Sequence, residues 1–79
     1  MPNRKIILEI LTELEWGNQR FGPHHSIHEA IAVLREEYLE LEQECFHGTP
    51  DRARAEAIQC AAMAVKLVEY LDGKGSTNG

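Results

Sequence analysis

Two short runs of acidic and amide side chains carry the only spacing in this sequence that suggests chemistry. One is Glu36-Glu37-Tyr38-Leu39-Glu40, and the other is Glu56-Ala57-Ile58-Gln59. Both lie in stretches whose apolar residues recur at helical intervals. Residues three apart share a helix face, so two such helices packed together aim Glu37, Glu40, Glu56 and Gln59 at one point. Oxygen donors converging between helices are how a bundle builds a site for a hard divalent cation, magnesium or manganese. Fifteen residues separate Glu40 from Glu56. That is enough for a helical turn, a tight loop and an antiparallel return. Glu56 is the most telling of the set. Its neighbours at helical spacing are Cys60, Met63 and Leu67, and a carboxylate on an apolar face must be paired or ligate a cation. Glu36 points further out and reads first as a solvated surface residue.

The elements that must position these groups are three helices. Ile7, Ile10, Leu11 and Leu14 form the apolar stripe of a first helix over about 3–20, with Glu9, Glu13 and Glu15 off it. Gly22-Pro23 breaks the chain, because proline lacks an amide donor and disfavours helix before it. Ser26 with Glu29 three residues later is a capping-box pattern opening a second helix over about 27–46. Its seam is Ile27, Ile31, Leu34, Tyr38, Leu41 and Cys45, beside a stripe of Ala30, Val33, Glu37, Glu40 and Glu44 that turns from apolar to acidic. His47-Gly48-Thr49-Pro50 is the next break, with Thr49 or Asp51 as the cap of a third helix over about 51–72. Glu56, Cys60, Met63 and Leu67 form its core stripe. Its opposite face, Ile58, Ala61, Ala62, Val65 and Val68, is also apolar. A helix apolar on both sides is covered on both sides, which predicts a second copy of the chain against it. The expected architecture is an all-α, antiparallel helical bundle of about three helices per chain, spanning 1–72 and completed by oligomerisation. Residues 73–79, rich in Gly, Ser and Asn, are expected to be a disordered tail.

Composition narrows the functional classes. Seventy-nine residues make one domain, and its core alone is a thin source of stability. The formal charge of −5 argues against nucleic-acid binding, which calls for a basic face. No apolar run is long enough to span a bilayer, and Glu9, Thr12 and Glu13 interrupt the apolar start where a signal peptide would need continuity. Cys45 and Cys60 do not make a disulfide framework and are expected to be reduced core residues. These features together predict a cytoplasmic protein with no membrane and no nucleic-acid partner.

Other clusters have weaker chemistry. His24, His25 and His28 sit close together, but the second histidine of a zincin helix would fall at Ala32. They read as loop and first-turn residues, with His28 able to reach a substrate phosphate. Trp16, Asn18, Gln19, Arg20 and Phe21 fit two descriptions: a bundle end sealed by aromatic rings, or an aromatic face that stacks a base while amides read its edge. Arg20, Arg35, Arg52, Arg54 and Lys66 could meet phosphates, although basic side chains on helices are usually solvated. Gly73 and Gly75 lead into the tail, not into a helix, so a phosphate-binding loop is rejected.

Glu36-Glu37-Tyr38-Leu39-Glu40, followed after fifteen residues by Glu56-Ala57-Ile58-Gln59, resembles the EExxE…ExxD signature of the MazG-like all-α nucleoside triphosphate pyrophosphohydrolases. The Phe21-Gly22-Pro23 lead-in and the Ala61-Ala62-Met63-Ala64 stretch are similar to the short, phage-type members. The resemblance covers roughly residues 15–72. It implies a homodimer or homotetramer that uses Mg2+, or Mn2+ in its place, to cleave a nucleoside or deoxynucleoside triphosphate to the monophosphate and pyrophosphate. For a phage-encoded chain, the host cytoplasm would be the setting. Carried across, Glu37, Glu40 and Glu56 match metal-binding positions, and Glu36, Glu37 and Glu40 are the candidates to orient or deprotonate the attacking water. Gln59 stands where the family has aspartate. A neutral amide there also suits a catalytically degenerate nucleotide-binding or oligomerisation module.

Overall fold

The computed structural model describes residues 3–78, with the side chains of 18–21 and 74–78 outside the description. The described residues form three α-helices and no strand: α1 (Arg4–Phe21), α2 (Ile27–His47) and α3 (Pro50–Asn78). Local chemistry sets their ends. The Asn3 side chain accepts the Lys5 amide at 2.7 Å, opening α1. Gly22 follows α1 with φ +71°, the left-handed conformation that stops a helix at little steric cost. Ser26, in extended backbone, accepts the Glu29 amide at 3.1 Å and caps α2. The other half of the expected box is displaced by one residue. The Glu29 carboxylate takes the His25 amide at 3.4 Å and the His25 ring at 3.2 Å, in place of the Ser26 amide. Gly48 closes α2 by donating its amide to the Glu44 carbonyl at 3.0 Å. Thr49 Oγ1 accepts the Arg52 amide at 3.3 Å and opens α3, with Pro50 at the first helical position, where no amide is needed.

α3 is the middle element. It packs against both α1 and α2, and those two make no close backbone approach to each other among the described residues. The late part of α2 meets the early part of α3, where Glu40 and Glu44 border the same depression as Glu56. The loop before α2 meets the late part of α3, where His24 shares a cavity with Tyr70. An ion pair ties α1 to α3: the Arg54 guanidinium donates to both Glu9 oxygens, at 2.8 and 2.7 Å. α3 then continues to Asn78, past the boundary expected after Asp72. Gly73 keeps a helical conformation with no positive φ, and a glycine that does not turn left-handed weakens a helix by about 1 kcal/mol without ending it. Gly79 lies outside the described residues.

Burial departs from the sequence reading in a consistent direction. Among the described residues, the buried apolar side chains are Leu14, Ala30 and Ala62. The expected α2 seam divides: Leu34 and Leu41 are half-buried, while Ile27, Ile31, Tyr38 and Cys45 are exposed. The face of α2 turned to α3 is the neighbouring stripe of Ala30, Val33, Glu37 and Glu44. Ala30 and Ala62 have the smallest apolar side chains, which allows close approach of the backbones that carry them. On α3, Ala62 moves from the expected outer face to complete burial, while Val65 and Val68 stay exposed. Lys66, expected in solvent, is buried. On α1, Ile7 and Leu11 are exposed, whereas Glu9 and Glu13 are half-buried. Among the described residues, no helix is long and apolar enough to cross a membrane.

Candidate metal centre

Helical spacing puts Glu37 and Glu40 one turn apart on α2, and Glu56 faces them from α3. One carboxylate oxygen from each of the three lies within 4.8 Å of the others. No other group of three acidic, histidine or cysteine side chains among the described residues converges this way. Glu44, one turn beyond Glu40, borders the same depression together with Glu36, Leu39 and Gln43; its volume is about 500 Å³. On the other side of the cluster, a smaller cleft of about 110 Å³ is lined by Glu13, Trp16, Glu37, Gln59, Met63 and Lys66. The three oxygens thus lie between an open acidic depression and a narrower, partly apolar cleft.

The carboxylates of the cluster repel one another. Burial raises the Glu37 carboxyl above its ordinary range, and the charges of Glu40, Glu56, Glu36 and Glu13 push it the same way. Glu56 is raised by burial, then by the charge of Glu40 and a hydrogen bond shared with it, then by Glu44 and Glu13. One oxygen of each of Glu37, Glu44 and Glu56 is shut off from solvent and has no hydrogen-bond donor. A buried acceptor without a partner is costly. Burial and the nearby Glu37 charge also raise the Cys60 thiol. Both effects favour the neutral thiol of Cys60.

No family model, curated protein or solved structure matches the chain. Of the residues singled out from the sequence, the structure brings together Glu37, Glu40 and Glu56, with Gln59 and Trp16 lining the adjacent cleft and Glu36 at the mouth of the depression. His28 is not brought to them. It is exposed in the first turn of α2, nine residues before Glu37, or about 13 Å along the helix axis. The side chains of Asn18, Gln19, Arg20 and Phe21 lie outside the described residues. Arg54 is committed to Glu9.

One contributor is absent from the sequence reading. Glu13 of α1 falls off the apolar stripe of the sequence pattern, yet it lines the cleft beside Glu37 and Gln59, and its charge is felt by both Glu37 and Glu56. The available signal was Gly17. It is buried one turn later, with the Met63 methyl just beyond where a Cβ would stand. A glycine inside a helix marks the face that another element approaches, and Glu13 shares that face.

The cluster fits a hard divalent cation. It offers carboxylate oxygens from two helices, leaves several without donors, and has no lysine or arginine within ion-pair distance of any of them among the described residues. Magnesium and manganese take such oxygen ligands and keep several waters or substrate oxygens as well.

Proposed function

We propose that this chain is a divalent-cation-dependent nucleoside triphosphate pyrophosphohydrolase that works as an oligomer of antiparallel helical bundles. The observation that carries this reading is the convergence of Glu37, Glu40 and Glu56 within 4.8 Å with no counter-charge. An acidic chain repels a triphosphate unless cations stand between the two. Glu37, Glu40 and Glu56 would hold Mg2+ or Mn2+, with the Gln59 amide oxygen holding a water or a substrate oxygen beside them. The bound cation supplies charge neutralisation of the phosphates and activation of water. Glu36, exposed at the mouth of the depression, would orient that water. Trp16, half-exposed on the wall of the cleft, offers a ring face for a base. A second copy would cover Ile27, Ile31 and Tyr38 of α2 and Val65, Val68 and Leu71 of α3, which are exposed in the single chain.

The deciding assay incubates the protein with a panel of nucleoside and deoxynucleoside triphosphates, with Mg2+ and then Mn2+, and follows both products. Stoichiometric monophosphate and pyrophosphate from one or a few substrates, abolished in Glu56→Gln while the fold persists, supports the assignment. Full activity in Glu56→Gln refutes it. The neutral Gln59 favours one competing reading, a degenerate module that binds nucleotide without cleaving it. Turnover absent from the native chain but gained by Gln59→Asp would establish that alternative.

A further inference from the structure

The three converging carboxylates stand between two spaces of different character. The depression that holds Glu40 and Glu56 is acidic and about 500 Å³. The cleft that holds Glu37 is about 110 Å³, and Trp16, Gly17, Ala62 and Met63 make much of its wall apolar. Trp16 is 54% exposed and is the one tryptophan of the chain. Ala62 is fully buried, and Gly17 is buried with the Met63 methyl 3.9 Å from where a Cβ would stand. The cleft exists because positions 17 and 62 carry almost no side chain. Glu13 and Gln59 add polar groups to its lining. A larger groove between α1 and α3, about 380 Å³, holds none of the three carboxylates. Glu37 belongs both to the triad and to the cleft, so a molecule whose phosphates meet cations at the triad has this cleft beside it.

We propose that the cleft selects a single-ring, pyrimidine base and turns away the fused rings of a purine. The inference rests on reading the carboxylates as the phosphate end of a nucleotide site. Pockets that enclose a whole small ligand start at about 300 Å³, and one benzene ring occupies an apolar cavity of about 150 Å³. A cleft of about 110 Å³ therefore takes one six-membered ring with its outer edge at the mouth, and leaves the sugar and phosphates outside. Trp16 offers the ring an aromatic face, Met63 packs against it, and at its polar edge Glu13 accepts while the Gln59 NH2 donates. A second fused ring meets the Gly17 backbone and Ala62, which have no side chain to move aside. An open indole face would show the reverse order, because a purine covers more apolar area than a pyrimidine.

The test is an NMR titration of the whole chain in chelator, following the single indole N–H, with cytidine, uridine, thymidine, adenosine and guanosine as probes. Nucleosides carry no phosphate, so the binding needs neither cation nor turnover. Saturable shifts with one or more pyrimidine nucleosides are expected, with purines weaker by about tenfold or more, the order of the cost of overfilling a packed site. Gly17→Ala, which a helical backbone accepts, narrows the cleft and weakens pyrimidine binding severalfold. Met63→Ala widens it and brings purines within a few-fold of pyrimidines. Purines equal to or tighter than pyrimidines, or no saturable shift with any probe, overturn the proposal. So do Gly17→Ala and Met63→Ala chains that fold and keep the native affinities and order. Turnover separates this inference from the reading beneath it. Purine triphosphates cleaved as readily as pyrimidine ones overturn the selectivity and leave the hydrolase standing. A pyrimidine preference in binding with no cleavage of any triphosphate keeps the cleft and overturns the hydrolase.

Discussion

Replacing Glu37 with glutamine should reverse its effect on stability when a divalent cation is added. Glu37 has two carboxylates, Glu40 and Glu56, with oxygens no more than 4.8 Å from its own. Two unit charges at that distance repel by about 0.9 kcal/mol in a water-like dielectric and by about 3.5 kcal/mol at an effective dielectric of 20. Glu40 is exposed and Glu37 and Glu56 are half-buried, so the lower end applies, and shared protonation reduces it further. Glutamine keeps the shape, removes the charge and brings a donor to oxygens that lack one. The expected result without cation is a variant more stable by about 1–2 kcal/mol, or a rise in Tm of at least about 4 °C for a domain of this size. With cation the order inverts. The native chain gains about 2.7 kcal/mol at roughly a hundredfold excess over Kd, and the variant, having lost a ligand, gains much less. The assay is thermal unfolding by circular dichroism at fixed protein concentration, in chelator and then in Mg2+ or Mn2+, with ionic strength matched by sodium chloride. A variant less stable than the native chain in chelator, or equal stabilisation of both by the cation, would refute the reasoning.

Acid should stabilise the cation-free protein before it denatures it. Glu37 and Glu56 have folded-state carboxyls raised above 4.5, so folding takes up protons there and stability increases as pH falls from neutrality toward 4.5. Glu37→Gln should flatten that rise relative to the native chain in chemical denaturation followed across the range. Glu9 and Glu29 shift the other way, Glu9 through its hydrogen bonds from Arg54 and Glu29 through those from His25, against the burial that opposes them. Their contributions hold above the ordinary carboxylate range and disappear below it. Ser26→Ala removes the cap of α2 and should cost about 1 kcal/mol in urea unfolding. Arg54→Ala should loosen α1 from α3 slightly, an effect that shrinks in high salt because both partners are accessible; an effect independent of salt would point to packing of the arginine stem.

The parts of the fold legible in the sequence were those fixed by neighbours along the chain. Ser26, Gly22, Gly48, Thr49 and Pro50 act over a few residues, and the structure uses each of them to start or stop a helix. The three carboxylates were legible too, because spacing of three on one helix and an apolar neighbourhood on the other are local patterns. What periodicity could not decide was which of two adjacent stripes on α2 turns inward. Both carry apolar residues, and they differ by about one residue's rotation around the helix. The choice depends on the partner: Ala30 and Ala62 permit close approach that Ile31 and Tyr38 would obstruct. Glu13 and Lys66 were misplaced for the same reason, since each is polar in an ordinary helical pattern and turned inward by packing across helices.

That packing also argues for a purpose in the carboxylates. Glu13, Glu37, Glu40, Glu44 and Glu56 surround one region, from all three helices. The chain has cations that could have relieved it. Arg54 stands two residues before Glu56 but reaches Glu9 on α1 instead. Lys66 lines the same cleft as Glu37 and Glu13 yet makes no ion pair with either. A sequence under selection for stability alone would place a lysine or an apolar residue at position 56, since holding like charges together, two of them half-buried, destabilises a small domain. On the reading proposed above, a ligand repays the repulsion; it would be positive, take several oxygens at once and exchange through the open depression beside Glu36 and Gln43. A divalent cation meets all three conditions. A permanently bound organic cation meets only the first.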